Sequence, residues 1–235
     1  MKIIGHRGAA GESFENSLSG ILAALNAKVD GIEIDVQKTK DDEIIVFHDN
    51  FYDRLTNYKG LVKNIAHPKA LDIKLKNHEQ IPSLNEIIDL MKSRAFLFVE
   101  VKNEDSFDQT YKELNEKLLD QDFAIISFFH QGILDLKRKL PFVQTGIILE
   151  ASPVDFSDYI SRINSDYVIL SIDTVTQQMV DQIKFQNRKL IFYGVNEFAE
   201  FRLASTYEPF GIVTNYPKKA QSYSKAVENT PNQYR

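Results

Sequence analysis

Residues 31–49 read GIEIDVQKTKDDEIIVFHD, an Ile- and Val-rich run that carries Glu33 and Asp35 and ends on His48 and Asp49. Successive strand residues point to opposite faces, so Glu33 and Asp35 share one face while Ile32, Ile34 and Val36 share the other. A buried carboxylate is costly unless it is paired or metal-bound. The acidic face must therefore meet positive charge. The polar segment KTKDDE is a turn, and residues 37–48 read as a hairpin that continues the strand. A turn centred between Asp41 and Asp42 places Asp35 opposite His48, with Cβ atoms about 4.5–5.5 Å apart.

The same kind of apolar run recurs outward along the chain. Strands are expected at 2–5, 29–36, 96–101, 123–128, 143–149, 166–171, 188–195 and 210–214. Amphipathic segments separate them. Leu18, Ile21, Leu22 and Leu25 repeat at helical spacing, and Ser83 with Glu86 forms a capping box ahead of Ile87, Ile88 and Met91. Eight strand–helix units predict an α/β fold, a parallel (β/α)8 TIM barrel, with a doubly wound open sheet as the alternative. Residues 49–82 interrupt the alternation as a small insertion after strand 2, with turn signals at Asn57 and Gly60. No linker divides residues 1–235, which are expected to form one domain, and the polar tail from 228 to 235 is expected to fray.

Composition removes several classes of function. A net charge of −5 gives no basic footprint, so a nucleic-acid partner is not expected. No apolar run approaches the length of a membrane span. The absence of cysteine excludes disulfides, thiolate metal sites and thiol nucleophiles. A cytoplasmic location is the expectation. The composition is silent on oligomeric state.

Ligands of such α/β folds bind at the carboxyl ends of the strands. His6 and Arg7 follow the first strand, Glu33 and Asp35 lie on the second, and Phe96, Phe98, Glu100 and Lys102 share a face of the third. Three neighbouring strands and the hairpin thus bring His6, Arg7, Glu33, Asp35, His48, Glu100 and Lys102 to one rim. Three carboxylates without cysteine suit a hard divalent cation, Mg²⁺ or Ca²⁺. Arg7 and Lys102 beside it suit an anionic substrate, a phosphate ester above all.

The segments GHRG, ENS, GIEIDVQKTKDDEIIVFHD, DRLTNYKG, IPSLNEII, VEVK and YGVN, in this order, resemble the glycerophosphodiester phosphodiesterases from residue 3 to about 217. The resemblance implies a barrel with an insertion after strand 2 that hydrolyses glycerophosphodiesters to glycerol 3-phosphate and an alcohol. It places the metal ligands on Glu33, Asp35 and Glu100 and the catalytic histidines on His6 and His48. Arg7 and Lys102 match its phosphate-binding positions, and Glu15, Asn16 and Asn196 its supporting ones. Three departures stand out: Ser17 in place of the family's Thr, Tyr193 rather than any Trp as the aromatic before the VN pair, and Asn215 in place of an Asp. Two other readings keep the fold but change the function: hydrolysis of longer lipid phosphodiesters in the manner of a lysophospholipase D, and a barrel that binds a phosphodiester without turning it over. A magnesium-dependent lyase using Lys102 as base would leave both histidines unused.

Overall fold

A computed structural model describes residues 1–70, 72–92 and 94–228. Its strands are β1 (Lys2–Gly5), β2 (Gly31–Lys38), β3 (Ile44–Val46), β4 (Phe96–Val101), β5 (Phe123–Ser127), β6 (Thr145–Leu149), β7 (Tyr167–Ser171), β8 (Lys189–Tyr193) and β9 (Gly211–Thr214). Eight run parallel in the order β1-β9-β8-β7-β6-β5-β4-β2, and a parallel β1–β2 pairing closes the ring. The open-sheet alternative is thereby excluded. All eight expected barrel strands are present, with ends that differ by up to two residues; β2 starts two residues later and runs two residues further than expected.

The helices are α1 (Leu18–Asn26), α2 (His67–Ala70), α3 (Leu84–Met91), α4 (Phe107–Asn115), α5 (His130–Lys139), α6 (Phe156–Ile163), α7 (Gln177–Phe185), α8 (Phe198–Thr206) and α9 (Pro217–Glu228). The Ser83–Glu86 capping box forms at α3, with Ser83 N–H donating to Glu86 Oε2 at 2.8 Å and Glu86 N–H to Ser83 Oγ at 3.3 Å. In α1 the buried side is Gly20, Ile21 and Ala24, whereas Leu22 is exposed. The expected frayed tail overlaps the end of α9 at Glu228, and its other positions, 229–235, lie outside the described residues.

Strand alternation builds two cores. Ile32, Ile34, Val36, Val99, Ile125 and Ile147 point outward under the helices. Ile4, Phe98, Ile126, Ile148, Ile169, Ile191 and Val213 fill the barrel interior. A third apolar cluster, including Ile45, Phe47, Tyr52, Leu55, Leu75 and Ile81, gives the insertion its own core.

The hairpin corrects one expectation. Val36 pairs with Val46 and Gln37 with Ile45, so the register is shifted by one residue. Thr39 N–H donates to Glu43 O, and Asp42 takes a left-handed φ of 66°. This is an odd, three-residue loop, in which a left-handed residue restores the strand twist. Phe47, not His48, falls opposite Asp35, and its N–H donates to Asp35 O at 3.0 Å. Phe47 is drawn into the insertion's core. His48 lies beyond the last ladder residue, Val46, where strand alternation no longer sets its direction.

Candidate active site

Two residues beyond the interior layer, each barrel strand contributes one more inward position at the carboxyl rim. Counting on from Ile4, Glu33, Phe98, Ile126, Ile148, Ile169, Ile191 and Val213 gives His6, Asp35, Glu100, Phe128, Glu150, Ser171, Tyr193 and Asn215. The charged side of that ring is the predicted site.

Glu33, Asp35 and Glu100 each offer a carboxylate oxygen, and these three atoms lie within 4.8 Å of one another. All three residues are buried. Glu33 Oε1 and Asp35 Oδ1 are enclosed and have no hydrogen-bond partner. Buried acceptors are normally satisfied. Oxygen ligands grouped in this way fit a divalent cation, whose charge would offset both their desolvation and their mutual repulsion.

The backbone at the site is held in uncommon conformations. Arg7 and Asn16 both have left-handed φ angles, 50° and 51°. The turn at Arg7 lets its N–H donate to Glu33 Oε2 at 2.9 Å while its Nε lies 3.3 Å from Asp35 Oδ2. Gly8 follows at φ 84°, where an added Cβ would stand 2.7 Å from the Gly20 carbonyl carbon. Only glycine fits there. Asn16 Nδ2 donates to Asp35 Oδ2 at 2.8 Å and its Oδ1 accepts from Asp35 N–H at 3.2 Å. Ser17, the departure beside it, caps α1 by accepting from Gly20 N–H, so the hydroxyl is what the position requires.

Lys102 Nζ lies 2.7 Å from Glu100 Oε1 and 3.6 Å from Asp35 Oδ1. Glu15 Oε1 accepts from Arg7 at 2.8 Å. His6 Nδ1 is 2.6 Å from Asn215 Oδ1. An amide oxygen only accepts, so Nδ1 carries the proton and Nε2, 3.9 Å from Glu33 Oε2, presents its lone pair to the site. His48 Nδ1 is held in the same way by Asp49 Oδ1 at 2.6 Å.

The rim brings together nine of the ten predicted site residues. Asn196 instead stands behind it, accepting from Asn215 N–H at 2.9 Å. Asn215, the departure near β9, therefore has a definite place as the partner of His6. Sequence reasoning missed that role, and it also missed Asp49 and Arg54. Both lie in family-like segments, GIEIDVQKTKDDEIIVFHD and DRLTNYKG, but only the folded insertion shows what they touch.

Burial, then Asp35 and Glu100, push Glu33 well above the ordinary carboxylate range. Burial and Asp35 raise Glu100 to about 7 against the pull of Lys102. Burial acts on Asp35 in the same sense, but Arg7 and Lys102 overcome it and hold Asp35 low. Burial lowers both His6 and His48, and Arg7 adds to the lowering.

These shifts set a pH dependence of stability in metal-free protein. A carboxyl group raised above its unfolded value contributes stability below that value and loses it as pH rises through the folded pKa. The lowered histidines oppose this only below their unfolded value of 6.5. From about pH 6.5 to about 8, ionisation of Glu100 and Glu33 should therefore lower Tm in EDTA. Excess Mg²⁺ or Ca²⁺ should raise Tm more at the upper end of that window. A flat or rising metal-free Tm there, read by calorimetry, contradicts the account.

A closed parallel barrel that brings three carboxylates, two imidazoles and two cationic side chains together at its carboxyl rim is a site suited to an anionic ester, which points to the phosphodiester hydrolases built on this fold. Residues 6–219 match the model of the glycerophosphoryl diester phosphodiesterase family, and the chain belongs to that family. It is thereby a phosphoric diester hydrolase. The chain is 29% identical to a glycerophosphodiester phosphodiesterase of Bacillus altitudinis, over 93% of this chain and 96% of the relative. It is 28% identical to one from Caldanaerobacter subterraneus subsp. tengcongensis, over 92% and 94%. A phosphodiesterase from Oleispira antarctica, solved in complex with the product sn-glycerol-3-phosphate, superposes with a TM-score of 0.89 at 22% identity, over 96% of this chain and 97% of that one. No helix among the described residues is long and apolar enough to cross a membrane.

Proposed function

We propose that the protein hydrolyses glycerophosphodiesters to glycerol 3-phosphate and an alcohol, using one divalent cation and the histidine pair His6 and His48. The observation that carries this reading is the pair of carboxylate oxygens without a hydrogen-bond partner, on Glu33 and Asp35, set among Arg7, Lys102 and two imidazoles whose Nδ1 atoms are held by Asn215 and Asp49.

Glu33, Asp35 and Glu100 would hold the cation, Mg²⁺ or Ca²⁺, which when bound supplies stabilisation of charge developing on the phosphoryl group. Arg7 and Lys102 bind the substrate's anionic oxygens, with Asp35 fixing the guanidinium and Glu100 the ammonium. His6 takes the proton from the attacking oxygen, which belongs to water or to the neighbouring glycerol hydroxyl. The second case gives a cyclic phosphate that water then opens. His48 lines an open cavity of about 530 Å³ together with Glu100, Lys102, Phe51, Phe128 and Phe129. It therefore stands beside the departing alcohol and acts as the imidazolium, keeping Nδ1–H on Asp49 while it gives its Nε2 proton to the alkoxide and is left neutral. Glu15, Asn16 and Asn196 act in support, through Arg7, Asp35 and Asn215.

The cavity also favours a second reading. Phe51, Phe128 and Phe129 are 53%, 45% and 40% exposed, which makes an apolar wall suited to the acyl chain of a lysophospholipid.

EDTA-treated protein should release glycerol 3-phosphate from glycerophosphocholine or glycerophosphoethanolamine only after Mg²⁺ or Ca²⁺ is restored. Turnover confined to lysophospholipids would select the second reading. Folded protein that binds these diesters but forms no product with either cation would overturn both.

A further inference from the structure

We infer that Arg54 is a positioning residue, through which the insertion fixes the acid–base histidine and the phosphate-binding arginine in one motion. The inference rests on the site roles proposed above.

Arg54 makes two forked ion pairs. Its Nε and Nη2 donate to Asp49 at 2.6 and 2.8 Å, and its Nη1 and Nη2 donate to Glu15 at 2.7 and 2.8 Å. Each carboxylate holds a site residue with its other contacts. Asp49 Oδ1 accepts from His48 Nδ1, and Glu15 Oε1 accepts from Arg7. Charge therefore alternates without a gap along Asp49, Arg54, Glu15, Arg7 and Asp35, with the His48 ring hydrogen-bonded at one end. Only a planar guanidinium spans two carboxylates with two donors to each, which an ammonium cannot do. Isolated surface ion pairs contribute little, but a forked network of near-ideal geometry is the exception.

The neighbours of Arg54 fix where it stands. Tyr52 and Leu55 are 0% and 5% exposed in the insertion's core, and Asp53 accepts from Gly60 N–H at 3.1 Å. Anchoring the insertion does not require Arg54. Val46 N–H donates to Pro82 O, Lys40 N–H to Ile65 O and Ser19 N–H to Glu79 Oε2, and each of these ties bridges the insertion or its flanks to the barrel or hairpin. What Arg54 adds is a link to both site segments at once.

Arg54→Ala and Arg54→Lys are to be compared with wild type on glycerophosphocholine under saturating cation, with Lys117→Ala as a control that breaks a remote exposed pair with Asp89. Loss of a group that orients site residues typically costs about 10–100-fold. We expect kcat to fall by about that factor in Arg54→Ala when assayed well below its Tm, where the lost ion pairs still leave the protein folded. Arg54→Lys should not restore it. Tens of millimolar guanidinium should rescue Arg54→Ala but not His48→Ala. Nitrogen NMR of the His48 ring at fixed pH should show a single Nδ1–H tautomer in wild type and a mixture in Arg54→Ala. This readout needs no turnover, so it tests the inference even if wild type cleaves no glycerophosphodiester, which would instead defeat the proposed function. An unchanged kcat, or a fall that follows Tm and is not rescued, with an unaltered His48 tautomer, overturns the role.

Discussion

Glu33→Gln should give an inactive protein that is more stable than wild type when no metal is present. Glu33 is 3% exposed, and burial with two carboxylate neighbours makes its charged form unfavourable. Glutamine keeps the shape, and its amide oxygen can still accept the Arg7 N–H. Its amide N–H group would fill the position of the orphaned Oε1, facing Asp35 and Glu100 as a donor rather than as a third negative oxygen. Replacing a buried charge by a neutral group of similar volume can stabilise by about 1–4 kcal/mol. At this chain length about 1 kcal/mol corresponds to roughly 2–4 °C in Tm. The gain should appear in EDTA at pH 8 and shrink or reverse with saturating Mg²⁺ or Ca²⁺. Removing one of the three proposed oxygen ligands should also cost about 10³-fold or more in kcat/KM, the equivalent of roughly 4 kcal/mol of lost transition-state stabilisation. Paired thermal melts and glycerol 3-phosphate assays check both signs. A variant that loses stability in EDTA, or keeps near-normal turnover, removes the carboxylates from the role given them.

This trade is the answer to the acidic strand. Stretches 31–36 and 96–101 announce the barrel through their outward faces, because Ile32, Ile34, Val36, Leu97, Val99 and Val101 are simple period-2 apolar positions. The inward faces announce the site, since Glu33, Asp35 and Glu100 break that apolar rule where the fold gains nothing from it. The hairpin register was not legible in the same way. KTKDDE does not state whether its loop is even or odd, and the left-handed Asp42 that makes it odd is a local backbone choice. His48 still reaches the rim because Phe47 is anchored in the insertion, a packing fact that no short window contains. Arg54 and Asn215 were hidden for a related reason. Arg54 is separated by 39 residues from Glu15 and Asn215 by 209 from His6, so their meaning exists only after the barrel closes.

The two histidines should separate cleanly when the leaving group is varied. Each proton transfer contributes typically about 10²–10⁴-fold, so His6→Ala and His48→Ala should both lose about that much kcat on glycerophosphocholine. Their losses diverge with a diester whose leaving group is p-nitrophenol, which departs as an anion without needing a proton. His48 shares its cavity with the apolar wall where the alcohol would sit. His48→Ala should therefore recover most of its activity on the activated substrate, while His6→Ala stays impaired on both. Neither substitution opens a hole in the core, because both side chains are about a third exposed. Tm should move little, so the kinetic loss can be read as chemistry. The pH–rate profile supplies an independent check: each variant should lose one limb of a bell-shaped curve. If the activated substrate rescues His6→Ala instead, the two roles exchange places. If it rescues neither and both limbs survive in each variant, the histidines orient the phosphoryl group and the protons move elsewhere.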